Sequence, residues 1–258
     1  MPERNSYEAG TPSWVDLSTP DVDASARFYG ELFGWDTEET GTVEETGGYR
    51  FFLDRGRKVA GVGPIMQEGQ PPAWATYFAT DDADALTQRA RDAGVTVLAE
   101  PMDVMDAGRL AFFAHPAAGM FGAWQAGNHK GAELVNEPVS LAWNQLITHD
   151  ADGAGRVLEA MFGLRVETQD FGGGPYTILM LGENGVGGIM ASPPGMPAEA
   201  PAFWNVSFAV AGADATVAKA QELGASVTMP AMDMAGVGRI AGLVDPQGAQ
   251  FNIAELPS

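Results

Sequence analysis

Met102-Asp103-Val104-Met105-Asp106-Ala107-Gly108-Arg109-Leu110 returns further along the chain as Met232-Asp233-Met234-Ala235-Gly236-Val237-Gly238-Arg239-Ile240. The separation is roughly 130 residues, about half the chain, which is the signature of an internal repeat. Each copy runs through an apolar, strand-like segment into a Pro turn, His115-Pro116-Ala117-Ala118-Gly119 in the first and Asp245-Pro246-Gln247-Gly248-Ala249 in the second. The chain therefore reads as a duplication.

The totals set bounds. A chain of 258 residues, 45% of them hydrophobic, suits two domains with packed cores. Fourteen Lys and Arg stand against 34 Asp and Glu, for a formal net charge of -20. Phosphate binding needs a cationic face, so nucleic acid is excluded as a partner, and the same charge disfavours anionic membrane surfaces. There is no Cys, hence no disulfide frame, no thiolate nucleophile and no Cys-built zinc site. No run approaches the ~18 apolar residues of a membrane helix. Met1 to Tyr7 lacks the apolar core of a secretory signal. The expected location is cytoplasmic, with export by an unrecognised route left open.

The doubling nests once more. Four segments share one order: a short strand, an acidic helix start, an amphipathic helix ending at Gly, then further strands. The first opens with Trp14 to Thr19, takes Asp21 or Asp23 as helix cap, sets Ala24, Phe28 and Leu32 on one face, and stops at Gly34. The second opens at Trp74, caps near Asp82 and stops at Gly94. The third opens at Trp143, turns at His149-Asp150 and stops at Gly163. The fourth opens at Trp204, passes Asp214 and stops at Gly224. A glycine after each helix fits the left-handed closing turn, which carries no Cβ penalty there. Each unit is then βαβββ.

Pro- and Gly-rich breaks mark the joints: Gln67 to Pro72 between units one and two, and Ser192 to Pro197 between units three and four. Expected boundaries are a first domain over 8–126, a polar linker over 127–138 and a second domain over 139–257. The Gly-rich loops Gly41 to Gly48 and Asp170 to Pro175 occupy matching places and read as hairpin loops or mobile flaps.

The βαβββ unit, the helix run Ala26-Arg27-Phe28-Tyr29-Gly30-Glu31-Leu32-Phe33-Gly34-Trp35 and the closing Asp245-Pro246-Gln247-Gly248 resemble the vicinal oxygen chelate superfamily. That group holds glyoxalase I, extradiol dioxygenases, fosfomycin resistance enzymes and bleomycin-resistance proteins. The resemblance covers about residues 12 to 255 and is nearest to tandem glyoxalase-like proteins of actinobacteria, often called hydroxylases. It implies an α+β fold: four βαβββ modules forming two glyoxalase-like domains, with curved, barrel-like mixed sheets around a cavity. It also implies a divalent metal held by His, Gln or Glu in active members.

The ligand seats implied by that resemblance fall on Trp14 and Trp143 in the first strands of units one and three. They fall on Ala75 and Asn205 in units two and four, and on Gly122 and Asn252 in the last strands. None offers a carboxylate or imidazole, and Asn is only a weak neutral donor. The chain's three histidines read otherwise: His115 as a turn residue, His129 as part of the linker, His149 as a cap at a strand-to-helix corner. The expectation is no metal and no cofactor.

Side chains alternate along a strand, so Asp16 shares the face of Trp14, while Val15 and Leu17 face the helix. The matching row is Trp143 and Gln145; Met120 and Trp124 flank Gly122, and Asn252 stands opposite in the other copy. The two Trp either line a cavity able to stack a flat ligand or fill the core. Arg109 and Arg239 recur after Gly, either aimed at a ligand carbonyl or pinned to Asp103 and Asp233. Asp16 is the one candidate base, provided burial raises its pKa. No dinucleotide fingerprint, P-loop or nucleophile elbow appears. These residues point to a metal-independent binder of a small aromatic or hydrophobic metabolite or antibiotic, accessory to secondary metabolism, as monomer or homodimer. The alternative is a lyase, isomerase or oxygenase with an unusual site.

Overall fold

The computed structural model describes residues 3–67, 69–170, 174–234 and 236–257. The first unit comprises β1 (Pro12–Thr19), α1 (Val22–Phe33), β2 (Asp36–Glu39), the single-turn α2 (Val43–Thr46), β3 (Arg50–Asp54) and β4 (Arg57–Pro64). The second comprises β5 (Ala73–Ala79), α3 (Ala83–Asp92), β6 (Thr96–Val104), β7 (Gly108–His115) and β8 (Gly119–Ala126). The third is β9 (Leu141–Thr148), α4 (Ala151–Phe162), β10 (Arg165–Asp170), β11 (Pro175–Leu181) and β12 (Asn184–Ala191). The fourth is β13 (Phe203–Ala209), α5 (Ala213–Glu222), β14 (Ser226–Met234), β15 (Gly238–Val244) and β16 (Gln250–Glu255).

Units pair within each half. One eight-stranded sheet runs β2-β3-β4-β1-β5-β8-β7-β6 and the other β10-β11-β12-β9-β13-β16-β15-β14. In each sheet the two opening strands meet antiparallel at the centre, β1 on β5 and β9 on β13, and each has a parallel neighbour outside it. The sheets are curved but open. One edge strand of each sheet, β2 and β10, is short and largely exposed, Asp36-Thr37-Glu38-Glu39 in the first case, a composition that discourages edge-to-edge pairing.

Helix starts follow the acidic residues. The side chains of Asp21, Asp82 and Asp150 accept from the N–H groups of Ala24, Ala85 and Gly153. The fourth unit departs from this pattern: Gly212 occupies the cap position, and the Glu255 carboxylate accepts from Ala213 N–H instead. His149 precedes its helix and contacts the Pro197 carbonyl, leaving the cap to Asp150. In the first Gly-rich loop the chain makes the turn α2, whose Glu45 carboxylate accepts from the N–H and hydroxyl of Thr42. The second such loop falls partly outside the described residues, at 171–173.

The helix-bearing faces of the two sheets pack back to back, and the cores cross the duplication. Phe28, Tyr29 and Phe33 of unit one pack with Phe208 and Phe251 of unit four; Phe78 and Phe121 of unit two pack with Leu158, Met161 and Trp204 of units three and four. Polar groups inside this seam are paired. Trp74 Nε1–H donates to the Tyr29 hydroxyl, which donates to Asp245 at 3.0 Å. Trp204 Nε1–H donates to the Ala118 carbonyl, and Thr76 donates to Asn144. Trp74 and Trp204 are therefore core residues. Both concave faces are left pointing outward.

The segment read as a polar linker is a buried strap. His129, Ala132, Leu134 and Val135 are buried, and Ala132 and Glu133 N–H groups donate to the carbonyls of Ser13 and Lys58. Its polar composition hid this, because the hydrogen bonds are to distant strands.

Tyr29→Phe removes the one acceptor of the buried Trp74 N–H, so denaturant unfolding is expected to show a loss of about 1–3 kcal/mol, the cost of a stranded buried donor. An unchanged midpoint would contradict the seam described here.

Candidate functional site

Alternation along β1 sends Val15 and Leu17 into the seam, at 0% and 1% exposure, and turns Trp14, Asp16 and Ser18 to the concave face. Cross-strand register puts Tyr77 of β5 opposite Trp14, and Gly122 of β8 opposite Tyr77. Tyr49, just before β3, reaches across β4 to the same place. The Asp16 carboxyl sits between the two phenols. Tyr77 donates to Oδ1 at 3.2 Å and Tyr49 to Oδ2 at 3.3 Å. Trp14 Nε1–H in turn donates to the Tyr49 oxygen at 3.0 Å.

Room for the two rings comes from glycine. A Cβ on Gly61 would lie 1.9 Å from the Tyr49 hydroxyl, and one on Gly122 would lie 2.1 Å from the Tyr77 ring. Both are collisions, so any other residue there would expel the phenol. Around the cluster stand Phe51 (5.7 Å, edge-on to Trp14) and Phe112 (5.8 Å from Tyr77). His129 closes one end, edge-on to Trp14 at 4.3 Å.

Asp16, Tyr49 and Tyr77 are each half-buried as residues. The Asp16 carboxyl itself is enclosed enough for desolvation to outweigh the two phenol hydrogen bonds, and its pKa is pushed up to about 7. Burial pushes both phenols well above the ordinary tyrosine value, with the Asp16 charge acting in the same direction. His129 is pushed down to about 4 by burial and by Lys58, so the ring is neutral, and its Nε2 has no partner among the described residues.

The second sheet carries the same frame with different chemistry. Trp143 donates to the Tyr176 hydroxyl at 2.7 Å, and that ring lies on Gly188 as Tyr49 lies on Gly61. Gln145 takes the place of Asp16 and contacts Met190 Sδ at 3.7 Å. Register replaces Tyr77 by Ser207, Phe112 by Gly242, Gly122 by Asn252 and Trp124 by Ala254. Asn205 lies directly across from Gln145 and donates to Asn252 at 3.3 Å.

The residues singled out from sequence thus divide. Trp14 and Asp16 meet on one concave face; Trp143, Gln145, Asn205 and Asn252 meet on the other. Met120 is 51% exposed on the face of Gly122 and Trp124. Trp124, 8% exposed, is buried under the strap with its Nε1–H donating to the His129 carbonyl, and Trp14, 4% exposed, is buried against Phe51 and His129 with its Nε1–H on Tyr49, so the ligand-facing reading of both indoles is corrected. Arg109 and Arg239 lie outside both clefts, and the ligand-facing reading of them is corrected. Each is on the helix side of its sheet, Arg109 bound to Asp84 and Asp103 and Arg239 to Asp214 and Asp233. Alternation puts them there, on the side of Ala111 and Ala241.

Tyr49, Tyr77 and His129 were missed. Tyr77 was within reach, since it lies two residues beyond Ala75 on the same face. Tyr49 had the matching Tyr176 as a signal, Tyr49 directly after Gly47-Gly48 and Tyr176 after Gly172-Gly173-Gly174-Pro175. His129 gave none.

The donor set does not fit a divalent ion. The implied seats carry indole, methyl, hydrogen or amide groups, and no three His, Asp or Glu among the described residues are gathered to hold a metal. The Asp16 carboxylate is committed to two phenols, and the nearby imidazole is packed between rings.

Paired βαβββ units in open curved sheets, with a site on the concave face, define a tandem domain of the glyoxalase type. The profile of the Glyoxalase/Bleomycin resistance protein/Dioxygenase superfamily matches residues 11–124. The chain is 42% identical to the candidate glyoxylase CFP32 of Mycobacterium tuberculosis, over 98% of this chain and 97% of that protein. It is 40% identical to the anthracycline biosynthesis protein DnrV of Streptomyces peucetius, over 97% and 94%. The fold is shared with the Mn(II)-bound glyoxalase of Novosphingobium aromaticivorans at a TM-score of 0.64 and 19% identity, over 96% of this chain and 83% of that one. The chain belongs to the glyoxalase/bleomycin resistance/dioxygenase superfamily. No described helix is long and apolar enough to cross a membrane.

A folded-state pKa above the unfolded value near 4 means that the folded chain holds a proton the unfolded chain has released. The Asp16 contribution to stability should then fall as pH rises from about 4 to about 7 and stay flat above. Asp16→Asn is expected to match wild type near pH 4 and to exceed it by about 1–3 kcal/mol near pH 8 in urea unfolding. Equal stability at both pH values would show the carboxyl to be solvated.

Proposed function

We propose that this chain is a metal-independent binding protein for a small, flat aromatic or hydrophobic metabolite, accessory to secondary metabolism. The first sheet's concave face is the binding surface. The observation that carries the reading is the replacement of ion-holding groups on that face by two phenols and a protonatable carboxyl set over a buried indole.

The wall beyond this cluster favours an apolar guest. Met102 pairs with Leu110 and Met120 with Ala114 on the face that carries Phe112, and both Met are more than half exposed, at 53% and 51%. Thioether side chains adapt to ring edges at about 0.3–1.5 kcal/mol per contact, and offset aromatic pairs add about 0.5–1.5 kcal/mol. The phenols and Asp16 supply a few polar contacts that orient a ligand in an otherwise apolar site. The biosynthetic role is carried over from the printed name of the Streptomyces peucetius relative and rests on likeness alone. The second reading, an enzyme of the same superfamily, is favoured by one feature, the accessible Asp16.

Titration with alizarin and dibenzoylmethane is expected to quench Trp emission saturably, and Phe112→Ala or Met120→Ala to weaken each Kd by roughly 3- to 10-fold, about 1 kcal/mol. Absence of quenching by either compound would remove the reading. So would a stoichiometric divalent ion whose chelation abolishes binding.

A further inference from the structure

We propose that the first cleft also transfers protons: Asp16 removes a proton from a carbon held between two carbonyl groups on a flat aromatic ligand, and returns it elsewhere on the same molecule. This rests on the reading that the first concave face binds such a ligand, and deepens it by naming the substrate class and the reaction.

The geometry carries the assignment. Each Asp16 oxygen accepts one phenol, at 3.2 and 3.3 Å, which leaves a lone pair on each oxygen unused. Asp16, Tyr49 and Tyr77 all keep partial exposure as residues, on the face to which alternation along β1 turns Asp16. Both rings are held in place, Tyr49 by the Trp14 N–H and Gly61, Tyr77 by Gly122 and Phe112. Among the described residues the groups that act on the Asp16 carboxyl besides burial are those phenols, from just before β3 and from β5; the cation beside the cluster, Lys58, lies over Phe51 and acts on His129. A carboxylate without a cationic partner keeps its basicity, and a general base works best when its pKa lies near the working pH. The second sheet lacks the device, with Gln145 for Asp16 and Ser207 for Tyr77. The chemistry is thus confined to one half.

In the forward step the Asp16 carboxylate takes the proton from the C–H. The C–H electron pair becomes a C=C bond, and a carbonyl π pair moves onto its oxygen. A carboxyl that has just been protonated needs one fewer donor, so one phenol turns its O–H to the new enolate oxygen. Delivery of the same proton to that oxygen gives the enol, a 1,3-shift within one molecule. No bond to any other reactant forms, and no electrons enter or leave. The phenol pair is a neutral oxyanion stabiliser, a pattern known for a carboxylate base acting with a tyrosine donor on other folds. Since the cleft's donor set does not suit a metal, the carbon acid must already be acidified by both flanking carbonyls.

Dibenzoylmethane, a flat aromatic β-diketone, tests this. In heavy water the protein is expected to speed deuterium uptake at its central carbon over buffer. Asp16→Asn should lose about 100-fold or more of that acceleration when the rate is read at a dibenzoylmethane concentration that saturates the variant's own Trp quenching. Tyr77→Phe should lower the rate roughly 10-fold and move the midpoint of its pH profile upward, because a donor to the carboxylate is gone. Intact quenching with exchange unaffected by Asp16→Asn overturns proton transfer and leaves binding standing. Neither quenching nor exchange overturns both. Should Asp16→Asn not fold, the wild-type pH profile decides: a rise centred near pH 7 supports Asp16, and a profile without that inflection refutes it.

Discussion

A carboxyl group enclosed by two phenols, with no cation acting on it, sets the character of the first cleft. Desolvation favours its neutral form, and only two neutral donors oppose that. The arrangement depends on glycines directly beneath the rings, since a single methyl at Gly61 or Gly122 would occupy the volume of a tyrosine. Small residues on the strands and large ones reaching over them are thus parts of one feature.

The back-to-back seam makes that change possible. Buried hydrogen bonds from Tyr29 to Asp245, Thr76 to Asn144 and Trp204 to Ala118 tie the halves together from behind. Stability is therefore invested on the helix-bearing faces. Residues there match between the repeats: Trp74 with Trp204, Phe121 with Phe251, Arg109 and its two aspartates with Arg239 and its two. Concave positions differ. Tyr77, Phe112, Trp124 and Asp16 answer to Ser207, Gly242, Ala254 and Gln145. The Trp–Tyr pair over a glycine is kept on both faces, as Trp14, Tyr49 and Gly61 and as Trp143, Tyr176 and Gly188, while the residues around it change.

Much of the fold was legible before any coordinates. The Met-Asp-to-Arg repeat, the aspartates opening helices and the glycines closing them locate the βαβββ units, because caps and alternation are local physics. The inward row of Trp14 and Asp16 follows from strand periodicity. What escaped was long-range. No local pattern says that unit one shares its core with unit four, that a polar-looking strap buries His129 on Trp14, or that Arg109 finds its second carboxylate on α3. Tyr49 lies in a glycine-rich loop, where a ring reads as surface until the glycine across the sheet is known. Asp16 itself could be named, but its partners could not.

The central claim concerns the protonation of one side chain. Carbon-13 NMR of protein labelled at aspartate carboxyls, with Asp16→Asn to assign the resonance, reads it directly. One carboxyl titrating near pH 7, absent from the variant, is the result predicted here. An Asp16 resonance that titrates near pH 4 with the exposed aspartates would contradict the account.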